Sequence, residues 1–309
     1  MDKKVLCVGL CCLDCVMYCK SYPVQDSDQR CVSHSWQRGG NASNSCSVFA
    51  EFNVPIEILG TMSYDIGGQF MKKDFEEYGI CIENCHFYEE YESPISTNLI
   101  NIQNGSRTIV HSNKNMPEVT FEDFKCLDLN NYSWIHFECR PYYEDLKRMI
   151  KHIREWNAEK NRDPIIISIE IEKPRMGINT MDVLAWGDFI FISKDFGIAC
   201  GYSDMTSAVK ALSSSLKPGA VIICPWGEKG ACARTADGSV VVSEAYPPEK
   251  ILTTLGAGDT FIAATIIALL KGEEVVNAID IGCKVAGEKC GMYDTKGLAK
   301  LFPLLLSLS

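Results

Sequence analysis

The chain has 309 residues, with 40 acidic against 30 basic side chains and a formal charge of -10. That length supports one large α/β unit, and the acidic balance argues against a nucleic-acid or anionic-membrane partner. The apolar run after Lys3 and Lys4 is broken at Asp14 and Lys20, and residues 298–309 are too few to cross a bilayer. With neither a signal peptide nor a membrane span legible, a soluble cytoplasmic protein is expected.

Hydrophobic periodicity places strands at 5–10, 13–19 and 30–37, the last after a polar turn that contains Asp26. A helix is expected over 42–52, a strand over 55–61, a helix over 67–78, and β runs near 81–88, 95–102 and 108–112. From residue 120 the order becomes regular. Helix 121–126 precedes strand 134–138, helix 142–160 precedes strand 165–170, and helix 178–184 precedes strand 189–193. Helix 204–216 then leads to strand 220–225, and a hairpin follows over 231–242 with Asp237 and Gly238 at its turn. Two long helices, 257–271 and 273–289, close the chain. Such alternation indicates one domain with a mostly parallel sheet covered on both faces. The β runs within 12–37 and 90–112 lack helices to cover a second face. They are expected to form a small separate sheet, a lid or a surface for pairing with a second copy, and otherwise an antiparallel extension of the main sheet.

Sixteen cysteines are scattered along the chain. Cys12 and Cys15 have C-x-x-C spacing, but no second ligand pair matches it, since Cys81 and Cys85 are four apart. Neither a metal site nor a disulfide framework is expected, and most of these cysteines suit small buried apolar positions. The Asn-x-Ser triplets at Asn41, Asn104 and Asn131 read as chance matches.

The most specific segment is 253–264. Gly256 and Gly258 allow a tight turn and close ligand approach, and a helix starting near Ala257 aims its free N–H groups at the turn. This suits a phosphate or a plain helix start, and Asp259 suits a proton acceptor for an attacking hydroxyl. The strand ending at Gly9 lacks the further glycines of a dinucleotide turn, and no Walker A sequence exists. Asp14 interrupts an apolar strand, so it faces either water or a polyol. Gly40 precedes Asn41 and Asn44, whose carboxamides lie three apart at a helix start and suit sugar hydroxyls; Asn41 also suits an N-cap. Arg107 offers a phosphate clamp on an exposed strand, and residues Gly227, Glu228, Lys229 and Gly230 form a second glycine-flanked turn.

Taken in order, Gly39-Gly40-Asn41-Ala42-Ser43-Asn44, Gly227-Glu228-Lys229-Gly230 and Leu255-Gly256-Ala257-Gly258-Asp259-Thr260-Phe261 resemble the ribokinase-like (PfkB) family of sugar kinases across nearly the whole chain. Segments 36–46, 104–110, 191–195 and 282–287 are most similar to the branch that phosphorylates fructose. The resemblance implies a ribokinase-like α/β fold, with a mostly parallel central sheet flanked by helices and a small β-sheet lid forming a dimer clasp. It implies transfer of a phosphoryl group from ATP, with Mg2+, to the 1-hydroxyl of D-fructose. Asp259 would be the catalytic base and a sugar contact, and the amides of Gly256, Ala257 and Gly258 the anion hole. Asp14, Gly40, Asn41 and Asn44 would bind the sugar, with Asp26 reaching it, by one route from a second copy. Arg107 and residues 227–230 would contact nucleotide, and Cys283 and Ala286 would line the adenine pocket. Because the proton leaves late, an aspartate of ordinary low pKa is expected to suffice as base.

Three departures accompany the resemblance. Many relatives carry an acid, associated with a monovalent-cation site, where this chain has Thr253, which counts against K+ activation. The family's Asn-x-x-Glu motif is not reproduced at Ser193-Lys194-Asp195-Phe196. The apolar stretch 298–309 extends past the expected end, as a helix cap, an isoform end or a disordered tail. Two other readings stay open: a kinase for ribose, adenosine or another ketose, and a catalytically silent sugar-binding protein.

Overall fold

The computed structural model describes residues 3–159, 163–174 and 180–306. Its strands are β1 (Lys4–Val8), β2 (Cys12–Cys19), β3 (Ser33–Gly39), β4 (Ile56–Leu59), β5 (Thr61–Ser63), β6 (His86–Tyr88) and β7 (Ile95–Asn101). The series continues with β8 (Arg107–Ser112), β9 (Tyr132–Glu138), β10 (Ile166–Ile171), β11 (Phe189–Ile192), β12 (Val221–Pro225), β13 (Ala231–Arg234) and β14 (Val240–Ser243). The first five helices are α1 (Asn41–Glu51), α2 (Ile66–Tyr78), α3 (Phe121–Phe124), α4 (Tyr143–Asn157) and α5 (Thr180–Val183). Then come α6 (Lys194–Ala199), α7 (Met205–Leu212), α8 (Ala257–Leu270), α9 (Val275–Cys290) and α10 (Pro303–Leu306).

Eight strands form the main sheet in the order β14-β13-β12-β11-β10-β9-β1-β4. It is parallel from β12 to β4, and the hairpin β13–β14 adds an antiparallel edge. Strand alternation divides the core. On β1, Val5 and Cys7 join α1, α8 and α9 on one face, while Leu6 and Val8 join α4 and α7 on the other. Helix α4 buries Leu146, Met149, Ile150 and Ile153, the spacing of a one-faced helix. Helix α8 is apolar on every side, because it lies between the sheet, α1 and α9. Truncating its fully buried Ile266 to Ala would cost about 2–5 kcal/mol through lost packing.

The lid is a separate four-stranded sheet, β3-β2-β7-β8, and not an extension of the main one. Its β2–β7 pair is parallel and its other two pairs are antiparallel. Several sequence expectations need correction. The strand expected at 55–61 is two strands, β4 and β5, separated at Gly60, and the run at 81–88 contributes only β6, which pairs with β5. Strand β3 starts at Ser33 because residues 20–32 leave the sheet as an exposed loop. Helix 204–216 ends as α7 at Leu212, with a 3-10 turn over Ser213–Ser215. Helix α6 had no counterpart in the periodicity; Ser193 caps it, accepting from the Phe196 N–H at 2.9 Å. The expected helix at 178–184 survives as α5, with 178 and 179 outside the described residues, as is 160 at the end of the expected helix 142–160. At the chain end, Leu298 and Leu305 are buried against the core, so this stretch is a cap over the helical layer; 307–309 lie outside the described residues.

Candidate active site

The site lies where β1, β9 and β10 end, the edge at which open parallel sheets collect ligands. After β1 the chain turns at Gly9 and Leu10, and after β3 it reaches Gly40, whose φ is +99°. A methyl group there would lie 2.1 Å from the Leu10 carbonyl oxygen, so only glycine fits. Gly40 is the N-cap of α1 and supplies no side-chain cap. The expected capping by Asn41 does not occur. Asn41 is the first helical residue, and its carboxamide donates instead to Glu170 Oε1 at 3.0 Å.

Glu138, at the end of β9, takes the capping role from a distance. Its Oε2 accepts from the backbone N–H of Leu10 at 3.0 Å and of Ala42 at 3.3 Å. Arg140 neutralises it, with Nη1 3.3 Å from Glu138 Oε1, and is itself forked onto both oxygens of Glu118. This buried network fixes the start of α1 and therefore the direction of Asn41 and Asn44.

At the opposite wall Gly256 caps α8 with φ +74°, and Asp259 sits in the first turn, buried. The Asn44 amide donates to Asp259 Oδ2 at 2.7 Å. The two asparagines on one face of α1 thus meet carboxylates, Glu170 and Asp259, from β10 and α8. Burial pushes the Asp259 carboxyl up to about 7; the Asn44 hydrogen bond opposes this, Glu172 and Glu138 add to it, and Arg107 opposes it. The expectation of an ordinary low pKa is therefore corrected by a desolvated setting. Of the amides expected to form an anion hole, Ala257 closes a long 3.3 Å bond to the Thr254 carbonyl, while a methyl group at Gly258 would meet nothing within 4 Å. Thr253 is buried, and its Oγ1 accepts from the Leu255 N–H at 3.1 Å, which shapes the turn.

From the lid, Arg107 on β8 donates through Nη1 to Thr254 Oγ1 at 2.7 Å, bringing it to this same turn. Asp14 on β2 is buried, its Oδ1 3.5 Å from Cys12 Sγ, and burial raises its carboxyl above the ordinary range. Asp14, Asn44 and Gly256 line one cavity of about 640 Å³ with Thr260 and Lys289. Asp26 does not line it; it is exposed at φ +57° in the loop between β2 and β3.

The second glycine turn forms a 3-10 turn, Gly227–Lys229, after β12. A methyl group on Gly230 would lie 2.0 Å from the Ser243 carbonyl, so this turn is seated on the end of β14. Helix α9 meets the same strand, where Ser243 Oγ donates to Asp280 at 3.1 Å and Cys283 is buried one turn further on. Residues 227–230, Cys283 and Ala286 thus belong to a region around β14 and α9, distinct from the cavity that holds Asp14 and Asn44. Glu228 is exposed and paired with Lys194 at 3.1 Å.

Glycine-shaped helix starts at α1 and α8, a buried aspartate between them and a lid bearing Asp14 and Arg107 meet at one end of a ribokinase-like α/β fold. The model of the pfkB family carbohydrate kinases matches residues 2–298, and the chain belongs to that family. Among its relatives, ketohexokinase of Mus musculus is 38% identical over 298 residues, covering 96% of this chain and 99% of that protein. Ribokinase from Giardia lamblia superposes with a TM-score of 0.78 at 18% identity, over 99% of this chain and 98% of that one. Arabidopsis thaliana ribokinase, solved with ribose and ATP, gives 0.76 at 15% identity over all of both chains.

Four residues escaped the sequence reading. Glu138 and Glu170 lie near the ends of apolar strands, where a buried acid is costly unless it is used, as at Asp14. Asn98 on β7 is fully buried beside Asp14, whose ionised carboxyl it favours against the effect of burial. Lys289 left no local signal, being one lysine in the polar last turn of α9.

Proposed function

We propose that this chain transfers the γ-phosphoryl group of ATP to the 1-hydroxyl of D-fructose, giving D-fructose 1-phosphate and ADP. The observation that carries this reading is the Asn44–Asp259 hydrogen bond at the glycine-capped start of α8. Asn44 occupies Oδ2, so Oδ1 is the oxygen free to take the hydroxyl proton. As the sugar oxygen bonds to the γ-phosphorus and the β–γ bridge opens, negative charge builds on the transferring oxygens. The amides of Gly256, Ala257 and Gly258 and the positive end of α8 are aimed at that charge. Asp14, Gly40, Asn41 and Asn44 hold the sugar, Arg107 the phosphates, and residues 227–230, Cys283 and Ala286 the rest of the nucleotide.

The acidic cluster fits a divalent cation carried with the nucleotide. Glu170 is buried, its Oε2 has no hydrogen-bond partner, and Asp259 and Glu138 add to the burial that raises its carboxyl. Among the described residues no three ligands form a ready metal site. Magnesium, which keeps waters and needs only one or two carboxylates beside the phosphates, would be held by Glu170 with Glu172. When bound, it neutralises charge on the phosphates. Potassium is not part of this reading, since Thr253 replaces the acid and its hydroxyl is already used within the turn.

Asp26 serves the sugar of a second copy, through a homodimer built on the lid, and the protein works in the cytoplasm. No described helix is long and apolar enough to cross a membrane. A different acceptor is the second reading, and the 21% identical nucleoside kinase of Methanocaldococcus jannaschii, aligned over 94% of this chain and 87% of that protein, illustrates the range of acceptors within such relatives. A silent binder is disfavoured because Asp259 and both flanking glycines are in place. The test is a coupled assay with ATP, Mg2+ and a panel of sugars and nucleosides. Turnover confined to fructose and close ketoses supports the reading; preferred turnover of ribose or adenosine replaces it, and sugar binding without turnover refutes it.

A further inference from the structure

Lys289, in the last turn of α9, is only 4% exposed and borders the same cavity as Asn44 and Gly256. Its Nζ donates to the carbonyl of Leu255, the residue just before the cap of α8. The end of α9 grips the preceding residues as well: the Cys290 carbonyl accepts from Leu252 N at 2.8 Å and Thr253 N at 3.3 Å. A methyl group on Gly256 would lie 3.9 Å from Lys289 Cε and 4.0 Å from both Asn44 Nδ2 and Asp259 Oδ2. The Lys289 side chain therefore converges on the turn together with Asn44 and the Asp259 carboxylate.

Burying an ammonium is expensive, and an apolar side chain would fill the space at lower cost. Lys289 has three N–H donors and, among the described residues, one hydrogen-bond acceptor, the Leu255 carbonyl. With Asp259 and Asp294 as its acidic neighbours, a buried cation so placed is also suited to meet negative charge that arrives at the turn. Fixing the Leu255 carbonyl also fixes the following peptides, and so the direction of the Gly256 to Gly258 amides.

We propose that Lys289 is a positioning residue for phosphoryl transfer, holding the Leu255 carbonyl so that the anion-hole amides face the transferring group and backing them with positive charge. The proposal rests on the phosphoryl-transfer reading given above. Burial lowers the Lys289 pKa; Cys290 at the end of α9, Asp259 on α8 and Asp294 beyond α9 oppose the shift, and Arg107 on β8 adds to it.

The experiment compares wild type with Lys289→Met, Lys289→Ala and Lys289→Arg in steady-state kinetics and thermal melting. Lys289→Met should lower kcat roughly 10- to 100-fold while sugar KM stays within about twofold, the pattern of an interaction needed in the transition state. Methylammonium should restore part of the activity of Lys289→Ala, where space is left, and none of Lys289→Met. Wild-type kcat should fall on the alkaline side below the ordinary lysine range with no fall in melting temperature, and Lys289→Arg should lose that limb. A folded Lys289→Met with wild-type kcat overturns the proposal. If the truncations unfold, the wild-type profile decides: kcat flat into the ordinary lysine range overturns it. Absence of wild-type phosphorylation with every acceptor would instead sink the phosphoryl-transfer reading on which it stands.

Discussion

The Asn44 amide and the Asp259 carboxylate meet at 2.7 Å across 215 residues of sequence, joining the first turns of α1 and α8. Each helix start is shaped by a glycine at positive φ, Gly40 and Gly256. The bond therefore reports whether both turns are correctly formed, and the same contact orients the Asp259 carboxylate.

The raised Asp259 carboxyl sets the pH dependence. A base works only when ionised, and kcat/KM reports the free enzyme, so kcat/KM should climb tenfold per pH unit below about 7 and level off above it. Linkage has the opposite sign. A carboxyl with a folded pKa above its unfolded value favours the fold at pH below the unfolded value, near 3.8, and that contribution is lost as pH rises through about 7. A pH–rate profile beside a pH–melting series checks both slopes.

Gly256→Ala places a side chain at φ +74° between Lys289, Asn44 and Asp259. The left-handed conformation alone costs about 1–2 kcal/mol. Because the added methyl lies in ordinary contact and not in collision, the larger loss is expected in kcat. Urea unfolding and steady-state kinetics separate the two.

Arg140→Met leaves Glu138 buried without its counter-charge and releases Glu118. Breaking one partner of such a pair costs about 3–5 kcal/mol. Since Glu138 caps α1 through Ala42, sugar KM should rise as well. Denaturant midpoints and sugar KM together make the check.

How far the sequence revealed these parts depends on whether the signal is local. Gly256 with Asp259, and Gly40 with Asn41 and Asn44, announce themselves because turn chemistry and helix spacing are written in adjacent residues. The parallel sheet was legible for the same reason, in the alternation of apolar runs. Glu138, Glu170 and Lys289 were not, since each acts on a backbone or side chain over 30 or more positions away. Glu138 and Glu170 could have been suspected as acids within apolar strands; Asn41 as a cap was the natural local reading, and Gly40 displaced it.

The lid exposes Trp36, Ile109 and Val110 on its two edge strands, β3 and β8. A salt-independent dimer through this sheet is expected, and Val110→Lys should shift it toward monomer. Sedimentation at several concentrations tests this; a wild-type protein that stays monomeric throughout contradicts the clasp.

The most direct measurement is phosphorus NMR of the product formed from ATP, Mg2+ and D-fructose by wild type and Asp259→Asn. With Asp259 as base and C1 as the acceptor position, wild type places phosphate on C1, and the variant, which folds normally, is about 10²- to 10⁴-fold slower. Phosphate on C6, or an Asp259→Asn enzyme as fast as wild type, would contradict it.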